Sequence, residues 1–333
     1  MNIESKPLTV TEVLVAGNRG PCGGVKMALE ATNQVLDIVD GREPVHTLWD
    51  IVNNTPVMDR LKAKGLVNVN KDWDKIPEGG IVLFPAHGVR PDDYDLALQK
   101  NLLTIDVTCQ LVNRVHTLVK NAQEKGLHVV YIGKEGHPET IGVLGELKPE
   151  NVTFIEPKSK IKGLDIPKGK EVIVYSQTTL ATDEIKTKQR SLKRLYPQII
   201  IPNRWDICPA VDARQQAAEE MLDNIKIDFW LTAGSSHSHN SLEAKRKGVK
   251  RKIPSILIDS PSKIKRKWFT EGVKVVGATA GASETEEDFQ LILDWFRNEG
   301  VAPIIYIPRV VDESDKTFTL PQKDINALQS RYN

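Results

Sequence analysis

The chain has 333 residues and 40% of them are hydrophobic, which is enough for roughly two or three domains with substantial cores. Its 45 lysines and arginines nearly balance its 44 aspartates and glutamates, so the net charge does not indicate nucleic acid as a partner. No apolar run approaches the ~20 residues that span a bilayer, and the first residues lack a signal-peptide pattern, so we expect a cytoplasmic protein without a membrane partner.

Short runs of β-branched residues alternate with stretches of helical periodicity along the chain. The predicted strands are Val13–Ala16, Val45–Leu48, Ile81–Phe84, Leu103–Val107, Val129–Ile132, Val172–Tyr175, Ile199–Ile201, Phe229–Thr232, Ile256–Ile258 and Val273–Val276. The predicted helices between them include Pro56–Lys64, Pro91–Lys100, Asp183–Leu195 and Glu286–Asn298. Strands that alternate with helices form parallel sheets covered on both faces, so the sequence predicts an α/β fold.

The residues after about 302 differ from this pattern. The run PIIYIPRVV reads as a further strand, and a charged turn and the stretch KTFTLPQ follow it. We interpret this part of the chain as a tail strapped across the domains, without a role in catalysis.

Three cysteines, Cys22, Cys109 and Cys208, mark the points where an apolar run gives way to a helical pattern. The dipole and the unpaired backbone N–H groups at a helix N-terminus favour a thiolate. Three cysteines make a poor disulfide framework, and a buried structural thiol is the alternative for each of them alone. Because the three positions are equivalent, we expect the cysteines to bind one common group.

The cysteine junctions divide the chain into three blocks that repeat in architecture, with negligible sequence identity between them. The predicted divisions are an N-terminal extension with the first strand at 1–22, α/β domains at 23–109, 110–204 and 205–302, and the tail at 303–333. Ligands of open α/β sheets bind beyond the carboxyl ends of the strands. We therefore expect three similar small α/β domains with mainly parallel sheets, arranged pseudo-threefold around a central cofactor.

The pattern of cysteines favours an iron–sulfur cluster over zinc as that cofactor. A structural zinc site usually takes four protein ligands, often with paired CxxC spacing, and this chain has no such pair. Iron–sulfur clusters accept widely spaced cysteines, and three of them leave one iron of a 4Fe-4S cluster open to a substrate. The sequence therefore predicts a central iron–sulfur cluster.

Polar residues follow several predicted strands. The segment GHPE carries His137 and Glu139, an imidazole beside a carboxyl group, which can hold an anion and deliver a proton. The alternative is a helix start, with Pro138 in the first turn and Glu139 complementing the dipole. In the first block, the segment PAHGV places His87 at the end of a strand.

Hydroxyl, amide and imidazole groups follow the strands of the third block, and such donors suit a phosphate or diphosphate. Ser238, His239 and Asn240 belong to the loop SSHSHNS, and Ser283 ends the segment TAGAS. The SSHSHNS loop, and QTTL with Thr178 in the second block, are also compatible with ordinary helix caps.

Together these segments resemble the 4-hydroxy-3-methylbut-2-enyl diphosphate reductase family, from about Val13 to about Pro308. The resemblance is carried by RGPCGGV, AHGV, D-x-TC followed by LVxxVH, GHPExxG, QTTL, DIC, the SxSxN loop and TAGAS. Several of these motifs are weak alone, but their order and spacing together are highly specific.

The resemblance implies a 4Fe-4S cluster on the three cysteines, with the C4 hydroxyl of the substrate on the open iron. Two electrons and protonation would remove this hydroxyl as water, giving isopentenyl and dimethylallyl diphosphates, with ferredoxin or flavodoxin as electron donor. By the same resemblance, Glu139 would supply protons, and Thr178 would bind the hydroxyl end or an ordered water. The implied diphosphate ligands are His87, His137, Ser238, Asn240 and Ser283.

Three positions depart from the family pattern. Asn53, in DIVNNTPVM, replaces a histidine of the diphosphate pocket, and Gln110 replaces a proline after the second cysteine. His239 stands where the SSN triplet usually has a hydroxyl. We count Asn53 and His239 among the candidate substrate-binding residues, since one imidazole is lost and one is gained. Two alternatives stay open: a paralogue that acts on a related allylic diphosphate or another anion, and a non-catalytic iron–sulfur redox sensor.

Overall fold

The computed structural model describes residues 7–161, 163–167, 169–202, 206–269, 271–309, 311 and 318–332. Its strands are β1 (Glu12–Val15), β2 (Val45–Thr47), β3 (Leu66–Asn68), β4 (Ile81–Phe84), β5 (Leu103–Asp106), β6 (His128–Ile132), β7 (Val152–Ile155), β8 (Val172–Ser176), β9 (Phe229–Ala233), β10 (Ser255–Ile258), β11 (Val275–Ala280) and β12 (Ile304–Tyr306). Its α-helices are α1 (Gly23–Val39), α2 (Thr55–Ala63), α3 (Pro91–Gln99), α4 (Gln110–Glu124), α5 (Pro138–Gly145), α6 (Thr182–Leu195), α7 (Pro209–Asn224), α8 (His239–Lys250), α9 (Glu286–Asn298) and α10 (Gln322–Ser330).

The strands of the described chain form three sheets, and the strand pairs within them are parallel. The strand orders are β10-β9-β11-β1-β12, β3-β2-β4-β5 and β7-β6-β8. Parallel strands need long crossover connections, and helices provide most of them here. The predicted α/β class with parallel sheets is confirmed.

The chain divides into two compact units. The first unit is Met1–Gly23, Asn53–Asp59 and Pro209–Lys316. The second unit is Gly24–Val52, Arg60–Cys208 and Thr317–Asn333. The five-stranded sheet belongs to the first unit and the other two sheets belong to the second. The predicted boundaries of three domains stay a prediction.

In the first unit, the spacing of apolar residues in α9 fixes which face of the helix packs on the sheet. Phe289, Ile292 and Phe296 recur at intervals of three and four residues, are fully buried and share one core with β11. The helix begins after Thr285, whose hydroxyl oxygen accepts a hydrogen bond from the backbone N–H of Asp288 at 3.1 Å. This packing fixes the end of β11, where the TAGAS segment begins.

In the second unit, α4 is anchored in the same way. Val115, Val119 and Ala122 lie on one face and pack with Val129 and Tyr131 of β6 in a common core. Burying these side chains contributes most of the stability of the helix. The position of Cys109, immediately before α4, follows from this anchoring.

Two parts of the predicted strand pattern are wrong. The run Ile199–Ile201 is not a strand, because Ile200 makes only an isolated bridge to Ile173. Pro197 and Pro202 flank the run, and proline cannot donate to a β-ladder. The strands β3 and β7 were not predicted, since runs of three or four residues give little periodic signal.

The C-terminal tail contributes β12 to the first unit and α10 to the second. The helix was not predicted. In the second unit, the backbone N–H of Leu320 donates to Gln34 at 3.0 Å, and Arg331 pairs with Glu43 at 2.5 Å. The predicted charged turn falls on 312–317, outside the described residues.

Candidate active site

Each cysteine lies immediately before a helix, as the sequence predicts. Cys22 precedes α1, Cys109 is the N-cap of α4, and Cys208 precedes α7. None of the three is in a disulfide.

The three cysteines are also held by the same backbone contact. The N–H of each cysteine donates to a carbonyl oxygen in the segment that follows β11, β4 or β8. These hydrogen bonds join Cys22 to Ala282 (3.2 Å), Cys109 to Ala86 (3.1 Å) and Cys208 to Thr178 (2.9 Å). In each unit, therefore, the cysteines lie beside polar strand ends, and the repeat of architecture extends to single hydrogen bonds.

The backbone approaches the sulfur of Cys109 closely. A Cβ atom on Gly24 would lie 2.7 Å from Cys109 Sγ, so a side chain at this position of α1 would displace the cysteine. Cysteine sulfurs at helix starts are ligands of the kind that iron–sulfur clusters take.

Glu139 and Thr178 form a buried hydrogen-bonded pair in the second unit. The backbone N–H of Thr178 donates to Glu139 Oε1 at 2.6 Å, and the Thr178 hydroxyl donates to Oε2 at 3.0 Å. Glu139 lies in the first turn of α5 after Pro138, and its backbone N–H donates to Nδ1 of the capping His137 at 3.2 Å. The segment is therefore a capped helix start and also holds a carboxyl group in a fixed orientation.

The environment of Glu139 favours its protonated form. Burial raises the pKa of Glu139 to about 7, although the hydrogen bonds from Thr178 oppose this shift. The nearby Asp206 carboxylate raises the pKa of Glu139 further. A carboxyl group with this pKa is protonated in about half of the molecules at neutral pH, so it can donate a proton there.

His87 follows β4 and presents a buried nitrogen. Its Nε2 atom has no hydrogen-bond partner among the described residues. Burial lowers the pKa of His87 to about 4, while the Asp50 carboxylate opposes the shift. The ring packs edge to face against His137, with 5.3 Å between the ring centroids. A neutral imidazole with a buried nitrogen of this kind can bond to a ligand.

In the first unit, Asn53 and Ser283 are neighbours. The Ser283 hydroxyl donates to the backbone oxygen of Asn53 at 3.0 Å. The side chain of Asn54 donates to the backbone oxygen of Ser283 at 2.9 Å and to the Glu284 carboxylate at 3.0 Å. The chain at Asn53 is therefore tied to the segment that follows β11.

The start of α8 carries Ser238, His239 and Asn240, all of them buried; we call these three residues the α8 tip. The Ser238 hydroxyl caps the helix by accepting from the backbone N–H of Ser241 at 3.4 Å, which confirms the capping interpretation. Asn240 Oδ1 accepts from Gln215 at 2.5 Å, whereas Asn240 Nδ2 is buried without a partner among the described residues. This amide can donate to an acceptor on a ligand.

Comparison with known proteins identifies the family. The sequence profile of the family described as LytB protein matches residues 13–297. The chain belongs to the LytB family.

Relatives of this LytB chain carry one activity in their names. A protein of Francisella philomiragia named 4-hydroxy-3-methylbut-2-enyl diphosphate reductase is 37% identical over 284 residues, which cover 85% of this chain and 87% of the relative. A protein of the same name from Acidothermus cellulolyticus is 34% identical over 332 residues, which cover 98% and 94%.

A solved structure is also similar along the whole LytB chain. It is the E-1-hydroxy-2-methyl-but-2-enyl-4-diphosphate reductase of Plasmodium falciparum, with a TM-score of 0.88 and 26% identity. The similarity covers 98% of this chain and all of that one. Among the described helices of the LytB chain, none combines the length and the apolar character needed to cross a bilayer.

Each compact unit of the LytB chain carries part of the predicted site. The second unit contains Cys109, Cys208, His87, His137, Glu139 and Thr178. The first unit contains Cys22, Asn53, Ser238, His239, Asn240 and Ser283. Within the units, the structure brings Glu139 to Thr178, His87 to His137, and Asn53 to Ser283.

Two glutamines near these residues were missed from the sequence. Gln177 is fully buried and accepts a hydrogen bond from the backbone N–H of Lys134 at 3.0 Å. Gln215 holds Asn240, as described above. A signal for Gln215 does exist, because it lies four residues after Val211 and three before Ala218 on the buried face of α7.

Proposed function

We propose that this protein is a 4-hydroxy-3-methylbut-2-enyl diphosphate reductase. It removes the C4 hydroxyl of its substrate as water with two electrons and two protons; the proton that enters the carbon skeleton adds at C4 to give dimethylallyl diphosphate, or at C2 with a shift of the double bond to give isopentenyl diphosphate. One observation carries the proposal within this LytB-family chain. Glu139 is a fully buried carboxyl group, held at both oxygens by Thr178, with a pKa raised to about 7 by burial.

In this proposal Cys22, Cys109 and Cys208 hold a 4Fe-4S cluster. The support is the place of each cysteine before a helix and the lack of any fourth cysteine in the sequence. When bound, the cluster supplies electrons and an open iron that acts as a Lewis acid on the hydroxyl group. We extend the proposal to three α/β domains, at 23–109, 110–204 and 205–302, around this cofactor.

Glu139 is the proposed proton donor. Thr178 donates a hydrogen bond to each of its oxygens, so a proton on Glu139 occupies a remaining lone-pair direction, away from Thr178. A fixed donor direction removes the cost of orienting the carboxyl group during the reaction. In this role Thr178 orients the donor and bonds to the hydroxyl end of the substrate.

The diphosphate is bound mainly by neutral donors. His87 is neutral near pH 7, because burial lowers its pKa to about 4. Hydroxyl and amide donors need no counter-charge when they are buried, and they bind phosphate oxygens well. The proposed set of diphosphate ligands is His87, His137, Ser238, His239, Asn240, Ser283 and Asn53.

The electrons come from a small redox protein of the ferredoxin or flavodoxin class. A cluster that passes two electrons to each substrate molecule has to be reduced again by such a carrier before the next turnover.

A second candidate function is favoured by the α8 tip. His239 is buried at the start of α8, at the position where the family usually has a hydroxyl group. An imidazole there, together with Asn53 in place of a histidine, would suit a related allylic diphosphate or another anion.

Anaerobic purification followed by assay with a chemical reductant tests these functions. We expect a brown protein containing iron and sulfide that converts 4-hydroxy-3-methylbut-2-enyl diphosphate to the two products. A brown protein that binds this substrate without turnover would indicate a redox sensor or a different substrate. A colourless protein that holds zinc would exclude both iron–sulfur interpretations.

A further inference from the structure

A buried arginine on α7 holds the loop that leads to Cys22. Arg214 is 3% exposed and lies in the first unit with this loop, which we call the Cys22 loop (residues 19–22). Its Nε donates to the backbone oxygen of Gly20 at 2.7 Å, and Nη2 donates to that of Pro21 at 3.0 Å. Its Nη1 donates to the oxygen of Ala210 within α7 at 2.6 Å.

The guanidinium of Arg214 can be buried because its N–H groups donate hydrogen bonds to backbone oxygens. Removing a guanidinium from water is costly, and hydrogen bonds with good geometry must offset that cost. The planar fork of arginine can reach several carbonyl oxygens at once, which a lysine ammonium cannot do in the same geometry. Arg214 therefore binds two successive carbonyls of the Cys22 loop and its own helix together.

The other backbone hydrogen bonds of the Cys22 loop are donated by its N–H groups. Gly20 has a φ of +68°, which side chains rarely adopt, and Pro21 has no N–H to donate. The backbone N–H of Gly20 donates to Ala280 at 3.1 Å, and that of Cys22 donates to Ala282 at 3.2 Å. The N–H groups thus fix one side of the loop on the end of β11, while Arg214 fixes the carbonyl side.

Acidic residues, and not an arginine, make the corresponding contacts just before the other two cysteines. Asp106 accepts a hydrogen bond from the backbone N–H of Thr108, next to Cys109, at 2.9 Å. Asp206, two residues before Cys208, accepts one from the backbone N–H of Ser176. These two contacts join a carboxylate to a backbone N–H group, whereas a guanidinium binds carbonyl groups in the Cys22 loop.

We propose that Arg214 is a positioning residue. Its hydrogen bonds keep the Cys22 loop in the conformation described above and so hold Cys22 in place to bind the cluster. The role of Cys22 as a cluster ligand, on which this inference rests, belongs to the function proposed above. The conformation of the Cys22 loop depends on the polypeptide alone, so the accessibility of Cys22 can be measured without the cofactor. Loss of Arg214 should therefore affect Cys22 more than Cys109 or Cys208.

Cysteine-specific alkylation of the full-length protein tests this proposal. The cofactor is first removed anaerobically with a chelator, and the rate of modification of each cysteine by N-ethylmaleimide is followed by peptide mass spectrometry. In Arg214→Met we expect Cys22 to react at least about tenfold faster than in the wild type, the factor expected from losing one hydrogen bond to a charged donor. The rates of Cys109 and Cys208 should stay unchanged.

Two further variants separate loop opening from general destabilisation. Arg251→Met removes a guanidinium at the C-cap of α8 in the same unit, where Nε donates to Asp223 at 2.7 Å, and should leave all three rates unchanged. Arg214→Lys keeps the charge but not the fork, and should still raise the rate of Cys22; it also carries the test if Arg214→Met does not fold. In the loaded protein, both Arg214 variants should lose iron to a chelator faster than Arg251→Met.

Equal acceleration of all three cysteines would overturn the proposal, and so would an unchanged rate at Cys22. A wild-type protein that never binds a cluster would refute the proposed function. The selective effect on Cys22 would then still show that Arg214 holds the loop.

Discussion

The Glu139–Thr178 pair and the α8 tip satisfy their polar groups in opposite ways. Both carboxyl oxygens of Glu139 accept hydrogen bonds from Thr178 within the second unit. Around the α8 tip in the first unit, the donor groups Asn240 Nδ2 and Ser241 Oγ are buried without partners among the described residues. Buried polar atoms without partners are rare in proteins and usually meet water or a ligand.

This difference separates two tasks of a reductase that acts on an allylic diphosphate. A proton donor works best when the protein fixes its orientation before substrate arrives. A binding surface for an anion must instead keep donors available until the anion accepts from them.

The largest effect should come from Glu139→Gln. The amide keeps the shape of the side chain but cannot deliver a proton, so we expect turnover to fall by about 10² to 10⁴-fold with unchanged iron content. Glu135→Gln, which changes an exposed carboxylate just before α5, is the matched control and should keep full turnover. Unaltered turnover in Glu139→Gln would remove Glu139 from proton delivery.

The next largest effect should come from His87→Leu, which removes the buried nitrogen that lacks a partner. We expect the KM for the diphosphate substrate to rise about tenfold, because a lost hydrogen bond to an ionic group costs about that factor. The kcat should change little. His128→Leu is the control, since His128 is the first residue of β6, away from the carboxyl ends of the strands, and its Nε2 bonds to the Thr153 hydroxyl at 2.8 Å. Equal changes in both variants would contradict the assignment of His87.

The pH dependence of kcat should report Glu139. Burial raises the pKa of Glu139 to about 7, and the donor is active when protonated, so kcat should be highest at low pH and fall as the pH rises through about 7.

Thr178→Val should move this fall in kcat to higher pH. In the wild type, the hydrogen bond from the Thr178 hydroxyl lowers the pKa of Glu139. The variant removes this bond, so the pKa of Glu139 rises, while the bond from the backbone N–H of residue 178 is kept. Thr117→Val on an exposed turn of α4 should leave the profile unchanged. A shift to lower pH in Thr178→Val would contradict the proposed cause.

The smallest effect should come from the double variant Asn53→His with His239→Ser, which restores the family pattern. If the two departures compensate each other, the affinity for the diphosphate should be preserved or should improve, as measured by the KM. The two single variants serve as controls. A large loss of affinity in the double variant would indicate a pocket adapted to another anion.

Local patterns were sufficient to predict part of this structure. Apolar runs and helical spacing predict where the cysteine-headed helices begin, and His137-Pro138-Glu139 is a legible helix start. A polar residue after a buried strand is also visible in one sequence, as Thr178 and Ser283 are. These signals depend only on neighbours in the chain, which is why they were reliable.

Contacts between distant segments could not be predicted in the same way. Thr178 is 39 residues from Glu139, and their pairing depends on the parallel register of β6 and β8. Arg214 is 194 residues from Gly20, and nothing in the sequence separates a buried arginine from an exposed one except its place on the apolar face of α7. The raised pKa of Glu139 likewise follows from burial, which local sequence does not reveal.

A single-turnover reaction in deuterium oxide tests the proposed function most directly. Anaerobically reduced protein is mixed with 4-hydroxy-3-methylbut-2-enyl diphosphate, and the products are analysed by mass spectrometry. We predict isopentenyl and dimethylallyl diphosphates that each carry one solvent deuterium, since one proton enters the carbon skeleton and the other leaves in water. Recovery of the intact substrate from the reduced, cluster-containing protein would contradict the assignment.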